Sequence, residues 1–388
     1  MAIRKPTRPL APSRRKSLVL LALVAVLQGC GSLPAPRAFS SVDYLRKEYA
    51  KRVGPEEAAR LPVPFEVDDR ILAATQGRIH PASSEPRRVE QINDFIFGWL
   101  GLRYSLEPTR DARQTFEAKE GNCLSFVNLF VGIARRYHLN PFYVEVEDYQ
   151  RWNYDHGTVV SHGHIVAGMR VDGKLRTYDF LPYEAKSYRD FNPIDDLKAA
   201  AHYFNNLGAE ALLRGDLDRA LDLTRVAVRL APDFDKAINN YGVVLLREGN
   251  VDEALAELEH GLDGNPSSVA LLTNTARAYQ TLGRDADAER LLARLEKEHA
   301  ANPFLYIFRA EQALAKNDTA GALDYMRKAY RRNSELPAVH VGLAKVYLAM
   351  GDRETALHYV ERALKLDATD PEARKLAALL LGKPREGR

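Results

Sequence analysis

The feature that most constrains this chain is a spacing of 34 residues that repeats without slippage through its second half. Ala220, Ala254, Ala288, Ala322 and Ala356 fall in one register, and Gly208, Gly242, Ala276, Ala310 and Ala344 in a second. Gly215, Gly249, Gly283, Asn317 and Gly351 form a third series, each between two helical stretches. Ala227, Gly261, Ala329 and Ala363 form a fourth, broken only by Leu295. Small residues at helical spacing let two helices approach closely, and a Gly or Asn between them supplies the left-handed residue that ends the first. Pro232, Pro266, Pro303, Pro337 and Pro371 punctuate the units. A period of this length specifies a stack of helix pairs in which each pair packs on its neighbours.

This pattern resembles the tetratricopeptide repeat, with five copies over residues 201–370 and a solvating cap helix over residues 371–383. The resemblance implies an all-α solenoid whose groove grips a protein partner or an extended peptide. A spacer, or a brace for the preceding domain, is the alternative.

The other end of the chain reads as an address. Arg4, Lys5, Arg8, Arg14, Arg15 and Lys16 precede an unbroken apolar run of ten residues at 18–27. That run is half of the ~20 residues a membrane-spanning helix needs, and it fits the core of a secretory signal. It ends in Leu27-Gln28-Gly29-Cys30, which resembles the bacterial lipobox. The resemblance implies cleavage after residue 29 and lipidation of Cys30. Gly31 stands where an aspartate would hold the protein in an inner membrane, so the expected place is the outer membrane, facing the periplasm. An ordinary signal with a chance cysteine is the competing reading, and Ser13-Arg14-Arg15 loosely resembles a twin-arginine signal. Residues 30–42 have the Pro, Ser and Ala content of a tether. Taking the six basic leader residues from the formal charge of +3 leaves −3, which gives no reason to expect nucleic-acid binding. With 46% hydrophobic and 28% charged residues, the rest has the composition of a folded, water-soluble protein.

Between leader and repeats lies the candidate chemistry. Cys123 follows Gly121-Asn122 and opens a stretch in which Phe126, Leu129, Phe130, Ile133 and Tyr137 recur at helical spacing, with Val127, Val131 and Ala134 widening the face. A helix apolar on most sides is a buried one. Arg135, Arg136 and His138 fill its last turn, and Asn140-Pro141 stops it. Asn122 is a natural N-cap, which places Cys123 at the first helical position. There the free amides and the helix dipole favour thiolate over thiol and offer donors to an oxyanion. A buried structural thiol is the alternative, but an unpaired cysteine is a liability in an oxidising envelope, where Cys30 is taken by lipid.

Downstream, residues 164–170 read as a strand, Asp172-Gly173 as a two-residue hairpin turn, and residues 175–180 as the returning strand. With Val171 opposite Lys174, counting back puts Asp179 opposite Val166. Asp179 then shares a face with His164, one diagonal step away and about 5–8 Å between backbones. A carboxylate at that distance can orient an imidazole, and the set Cys123, His164, Asp179 has the types a nucleophile, base and orienting group require. His162 lies on the same strand face as His164 and is the competing base.

The run from Thr109 through Arg110, Gln114, Gly121, Asn122 and Cys123 to Ser125, followed by Leu129-Phe130 and Ala134-Arg135, resembles the start of a bacterial transglutaminase-like domain of the papain-like cysteine enzymes. The resemblance covers roughly residues 90–182. It implies a cysteine at the start of a helix, with the base and carboxylate on adjacent antiparallel strands. It places the nucleophile on Cys123, the base on His164 and the orienting carboxylate on Asp179. The sequence departs from the family in Ile165-Val166 after the histidine, where an aromatic is frequent, and in Leu124, where several members carry Trp.

Gln114 and Asn122 are candidate side-chain donors to an oxyanion. His156, His162 and His164 suggest a metal site, but no carboxylate or thiol stands at ligand spacing, so neither metal nor cofactor is expected. No phosphate-binding glycine fingerprint occurs. Tyr143, Tyr149, Trp152 and Tyr154 flank a loop before the His strand and are candidates for a substrate cleft or for packing. Residues 44–53 are amphipathic, and residues 89–100 form a plausible core helix.

The expected organisation is therefore a leader over 1–29, a tether over 30–42, an α+β papain/transglutaminase-like domain over 43–198 and an all-α repeat solenoid over 199–388. Two functions follow. One is an envelope lipoprotein whose cysteine site acts on peptide or glutamine-type amides, by hydrolysis rather than crosslinking, with the repeats recruiting substrate or partner. The other is a non-catalytic protein-binding scaffold of the cell envelope.

Overall fold

The computed structural model describes residues 25–26, 41–155, 158–171, 174–180 and 191–381, and their side chains except at 25–26, 147–163 and 171. The leader, Cys30 and the tether up to residue 40 lie outside the described residues apart from β1 (Ala25–Val26), and so do His156 and the Asp172-Gly173 turn.

Four helices open the body: α1 (Val42–Val53), α2 (Pro55–Arg60), α3 (Asp69–Thr75) and α4 (Glu85–Asn93), the last running into a π-helical turn (Asp94–Trp99). The amphipathic stretch and the core helix expected here are thus α1 and α4 with its π turn. A two-residue bridge, β2 (Arg103–Tyr104) with β3 (Glu120–Gly121), brackets α5 (Ala112–Ala118) and delivers the chain to α6 (Cys123–Arg136). All residues from Leu124 to Ala134 are buried, as the all-round apolar pattern requires.

The sheet follows. β4 (Phe142–Asp155), β5 (Thr158–Val171) and β6 (Lys174–Tyr178) form an antiparallel meander, and β7 (Phe191–Ile194) pairs with the outer edge of β4, in the order β1-β6-β5-β4-β7. The register of the second hairpin is the one read from sequence, closing Val171 on Lys174 and running back to Ala167 on Tyr178. β4 and β7 escaped the sequence reading. Phe142 to Val146 are buried on both faces, so β4 lacks the period-two signal, and the stretch read as flanking a loop is a strand. Pro193 disguised β7; it is tolerated because β7 is an edge.

Ten helices then pair as α7/α8 (Asp196–Leu213, Leu217–Leu230), α9/α10 (Asp235–Glu248, Val251–Gly264), α11/α12 (Val269–Thr281, Asp285–Glu298), α13/α14 (Pro303–Ala315, Thr319–Arg332) and α15/α16 (Pro337–Ala349, Arg353–Leu366), capped by α17 (Pro371–Leu381). The small-residue series are explained by contact. A Cβ on Gly208 would lie 2.6 Å from Thr224 Cγ2, and one on Gly242 would lie 2.7 Å from Leu258 Cδ2. Gly215, Gly249, Gly283, Gly351 and Asn317 all have positive φ between paired helices.

No break in packing falls between residues 198 and 199. One hydrophobic cluster runs from Leu45 and Tyr49 through α6 to Leu197, Phe204, Phe234 and Ala237, so the first repeat shares the core of the α+β region. Ion pairs reinforce the joint. Arg135 at the end of α6 grips Asp196 at the start of α7 through two 2.8 Å bonds. On the helical face of β4, Glu145 takes Lys236 of α9 and His202 of α7. Within the array, buried asparagines stitch neighbouring repeats: Asn240 donates to Asn205 at 2.9 Å, and Asn274 to Asn239 at 2.7 Å.

Candidate active site

Asn122 makes the entrance of α6. Its Oδ1 accepts from the Ser125 amide at 3.0 Å and the Ser125 hydroxyl at 2.9 Å. Its amide hydrogens go to Thr109 Oγ1 at 2.7 Å and to the Leu106 carbonyl at 3.3 Å. Both functions of the side chain are spent on capping, so it has no donor left for an oxyanion. Gln114, the other expected donor, is exposed and closes a capping box on α5, accepting from the Asp111 amide at 3.2 Å. The Ser125 amide goes to Asn122 Oδ1 and the Phe126 amide to the Asn122 carbonyl. Among the described residues, the first-turn donors left over are the Cys123 and Leu124 amides, and these can hold an oxyanion beside the sulfur.

The histidine reaches this point from the sheet. Ile165, Ala167 and Met169 face α6 and join its core, while His164 and Val166 alternate to the other side. The β5–β6 ladder stops at Ala167 and Tyr178. Beyond that point the edge of β5 is open, and Cys123 lies against it, close enough to the His164 ring and the Ile165 amide for both to act on its sulfur. His164 is 1% exposed, and its Nε2 lies 3.0 Å from Asp179 Oδ1. The carboxylate occupies Nε2, so Nδ1 is the nitrogen that can exchange a proton with the sulfur. Asp179 is itself pinned by its neighbours. Tyr178 stacks on Phe130 at 5.5 Å, and Phe180 packs on Phe97 at 5.4 Å and on Phe130 at 5.7 Å.

The electrostatics favour an ion pair. Burial pushes the Cys123 thiol up, but the His164 charge, its hydrogen bond and the Ile165 amide together bring it below the ordinary thiol value. Burial acts on His164 in the opposite sense, yet the Cys123 charge and the bonds to Asp179 and Cys123 raise it to about 10. A half-buried thiol lowered in this way, beside a raised histidine at a helix N-terminus, has the arrangement of a nucleophile and its base.

The structure thus brings Cys123, His164 and Asp179 together. The backbone of His162, the competing base, pairs with Arg151, and its side chain lies outside the described residues. Among the described residues, no three His, Cys, Asp or Glu side chains gather as for a metal, and no helix is long and apolar enough to cross a membrane. Sequence reasoning missed the groups around the site. Thr109, Arg135, Glu145 and Glu210 act through partners up to 101 residues away, and local pattern carries no such signal.

With the geometry in place, comparison with known proteins separates the two halves. Family models of the tetratricopeptide repeat match residues 205–269, 245–306 and 313–380. The second half of the chain is an array of tetratricopeptide repeats. DnaJ homolog subfamily C member 3 of Gallus gallus is 28% identical over an alignment of 166 residues that covers 38% of this chain and 32% of that protein. The chain therefore spans about a third of that relative's length. Among solved structures, TTC0263, a thermophilic repeat protein of Thermus thermophilus, is similar with a TM-score of 0.42 and 22% identity over 47% of this chain and 99% of that one. A tetratricopeptide repeat protein of Parabacteroides merdae has a TM-score of 0.42 and 18% identity over 48% of this chain and 77% of that one. Repeats of this type bind protein partners.

Proposed function

We propose that the chain is a transglutaminase-like cysteine enzyme acting on peptide or glutamine-type amides, built onto a protein-binding array. The observation that carries this reading is the His164–Asp179 bond at 3.0 Å, with the Cys123 thiol drawn below its ordinary value by the same ring. The Cys123 thiolate attacks the carbonyl carbon, and the oxyanion rests on the Cys123 and Leu124 amides. His164 gives its proton to the leaving nitrogen as the C–N bond breaks. Water, deprotonated by His164, then cleaves the thioester and restores the thiol. Hydrolysis is favoured over transfer to an amine because nothing among the described residues marks an amine-binding site.

The array supports a second role, and its family match favours it independently: a scaffold that recruits a protein partner whether or not the cysteine turns over. For localisation, the proposal is anchoring to the outer membrane, facing the periplasm, through lipid on Cys30. A Cys30→Ser variant that still partitions with membranes would remove that part.

The deciding test is iodoacetamide alkylation of Cys123 against pH, resolved by peptide mass spectrometry, for the protein and for His164→Ala. Rapid labelling near neutral pH that slows in the variant is the expected result. Labelling at the rate of a free thiol, indifferent to His164, leaves the scaffold as the function.

A further inference from the structure

One buried carboxylate near the site is unexplained by the repeat pattern. Glu210 lies on α7, in the first helix of the first repeat, and is 3% exposed. At successive steps of 34, the equivalent positions are Val244, Ala278, Gln312 and Val346, so the solenoid places no carboxylate there. Burying one costs free energy unless its bonds repay it. Its Oε1 accepts the Thr109 amide at 2.7 Å. Thr109 is buried too, and its Oγ1 accepts the Asn122 amide at 2.7 Å. Asn122 is the cap of the helix that begins at Cys123. A continuous relay thus runs from Glu210 through Thr109 and Asn122 to the first turn of α6.

We infer that Glu210 is a positioning residue for Cys123, and that the first repeat completes the entrance of the nucleophile's helix. The inference rests on the cysteine-enzyme reading for its functional meaning. In physical terms, Thr109 holds Asn122 in the one orientation that caps α6, and Glu210 holds Thr109. Without Glu210 the cap loosens, the first-turn amides lose their aim, and the thiolate loses part of the helix dipole that favours it. Among the described residues, no other hydrogen bond of the loop carrying Thr109 reaches this far along the chain: it joins residues 101 positions apart. Separating the array from the preceding domain would therefore weaken the cysteine site even where the fold survived.

The experiment uses the full chain with Glu210→Ala, Glu210→Gln, Thr109→Val and, as a control, Leu292→Ala, which opens the core of the third repeat. Two readouts are taken: the pH profile of Cys123 alkylation, and amide hydrogen exchange over residues 122–126. Glu210→Ala should slow labelling at neutral pH by about two- to fivefold, the share a helix terminus contributes to an adjacent anion. It should also speed exchange at 122–126. Glu210→Gln keeps an acceptor for the Thr109 amide and should retain most of both properties. Thr109→Val cuts the same relay at nearly constant volume and should reproduce Glu210→Ala, and it carries the test alone if Glu210→Ala fails to fold. Unchanged labelling and exchange in the folded variants would overturn the relay, and so would an equal loss in Leu292→Ala, which would mark general loosening. If the unmodified protein labels like a free thiol, the enzyme reading fails separately, and exchange at 122–126 still decides whether Glu210 holds the helix entrance.

Discussion

The joint between α6 and α7 makes a sharp prediction about cooperativity. Arg135 and Asp196 meet through two 2.8 Å bonds, with side-chain exposures of 9% and 1%, and the guanidinium lies 4.4 Å over the Phe65 ring. Asp196→Ala leaves that guanidinium out of water without its strongest partner. Breaking a buried pair from one side costs about 3–5 kcal/mol, because the stranded charge keeps its desolvation penalty. For a cooperative unit of 150–250 residues, each kcal/mol lowers Tm by roughly 2–4 °C, so the expected fall is about 6–20 °C. Replacing both partners, as Arg135→Met with Asp196→Leu, removes both charges and should recover most of the loss. The assay is urea unfolding followed by two probes on one sample. Far-UV circular dichroism is dominated by the array, and tryptophan fluorescence reports the α+β region, where both tryptophans, Trp99 and Trp152, lie. Because the core runs unbroken from Leu45 to Ala237, both probes should shift together. A loss under about 1 kcal/mol, or a shift of one probe alone, would refute the idea that the first repeat and the α+β region share one core.

Further predictions concern the site. The raised His164 holds its proton as pH rises until about 10, so the stability it contributes is complete below its unfolded value and is lost as pH climbs through about 10. Anionic iodoacetate, drawn to the imidazolium, should therefore label Cys123 faster than its neutral amide up to that limb. Asp179→Asn should move the limb down by about one pH unit or more, and an unmoved limb would show that Asp179 does not hold the proton. Gly121→Ala should disturb the helix entrance, since its Cβ would lie 2.6 Å from Ser125 Cβ and push the hydroxyl that also accepts the Arg110 amide. The expected cost is about 1–3 kcal/mol, with slower Cys123 labelling. Unchanged stability and labelling would mean that Ser125 gives way freely.

Much of this protein follows from local rules. The 34-residue register fixes the helix pairs because close approach needs small residues and each first helix needs a left-handed end. The Asn-Cys junction fixes the start of α6, because a cap and an apolar stripe are both properties of contiguous residues. Turn chemistry at Asp172-Gly173 and the alternation of side chains set Asp179 beside His164 before any fold is known.

Other features have no local signature. β4 was hidden because burial on both faces erases the alternation that marks a strand. The entry of Cys123 at the open edge of β5, beside the Ile165 amide, depends on where β6 parts from it. Asn122 was legible as a cap, but only its partners Thr109 and Leu106 in space show that no donor of its side chain is left for an oxyanion. The carboxylates Asp196, Glu145 and Glu210 read as ordinary charges on helices or strands. Tertiary packing buries each against a partner far along the chain and so makes the first repeat part of the cysteine domain's core. Sequence determined the elements and the candidate triad, because those depend on neighbours in the chain. The fold decided how the triad meets and what holds it there, because burial and hydrogen bonding depend on neighbours in space.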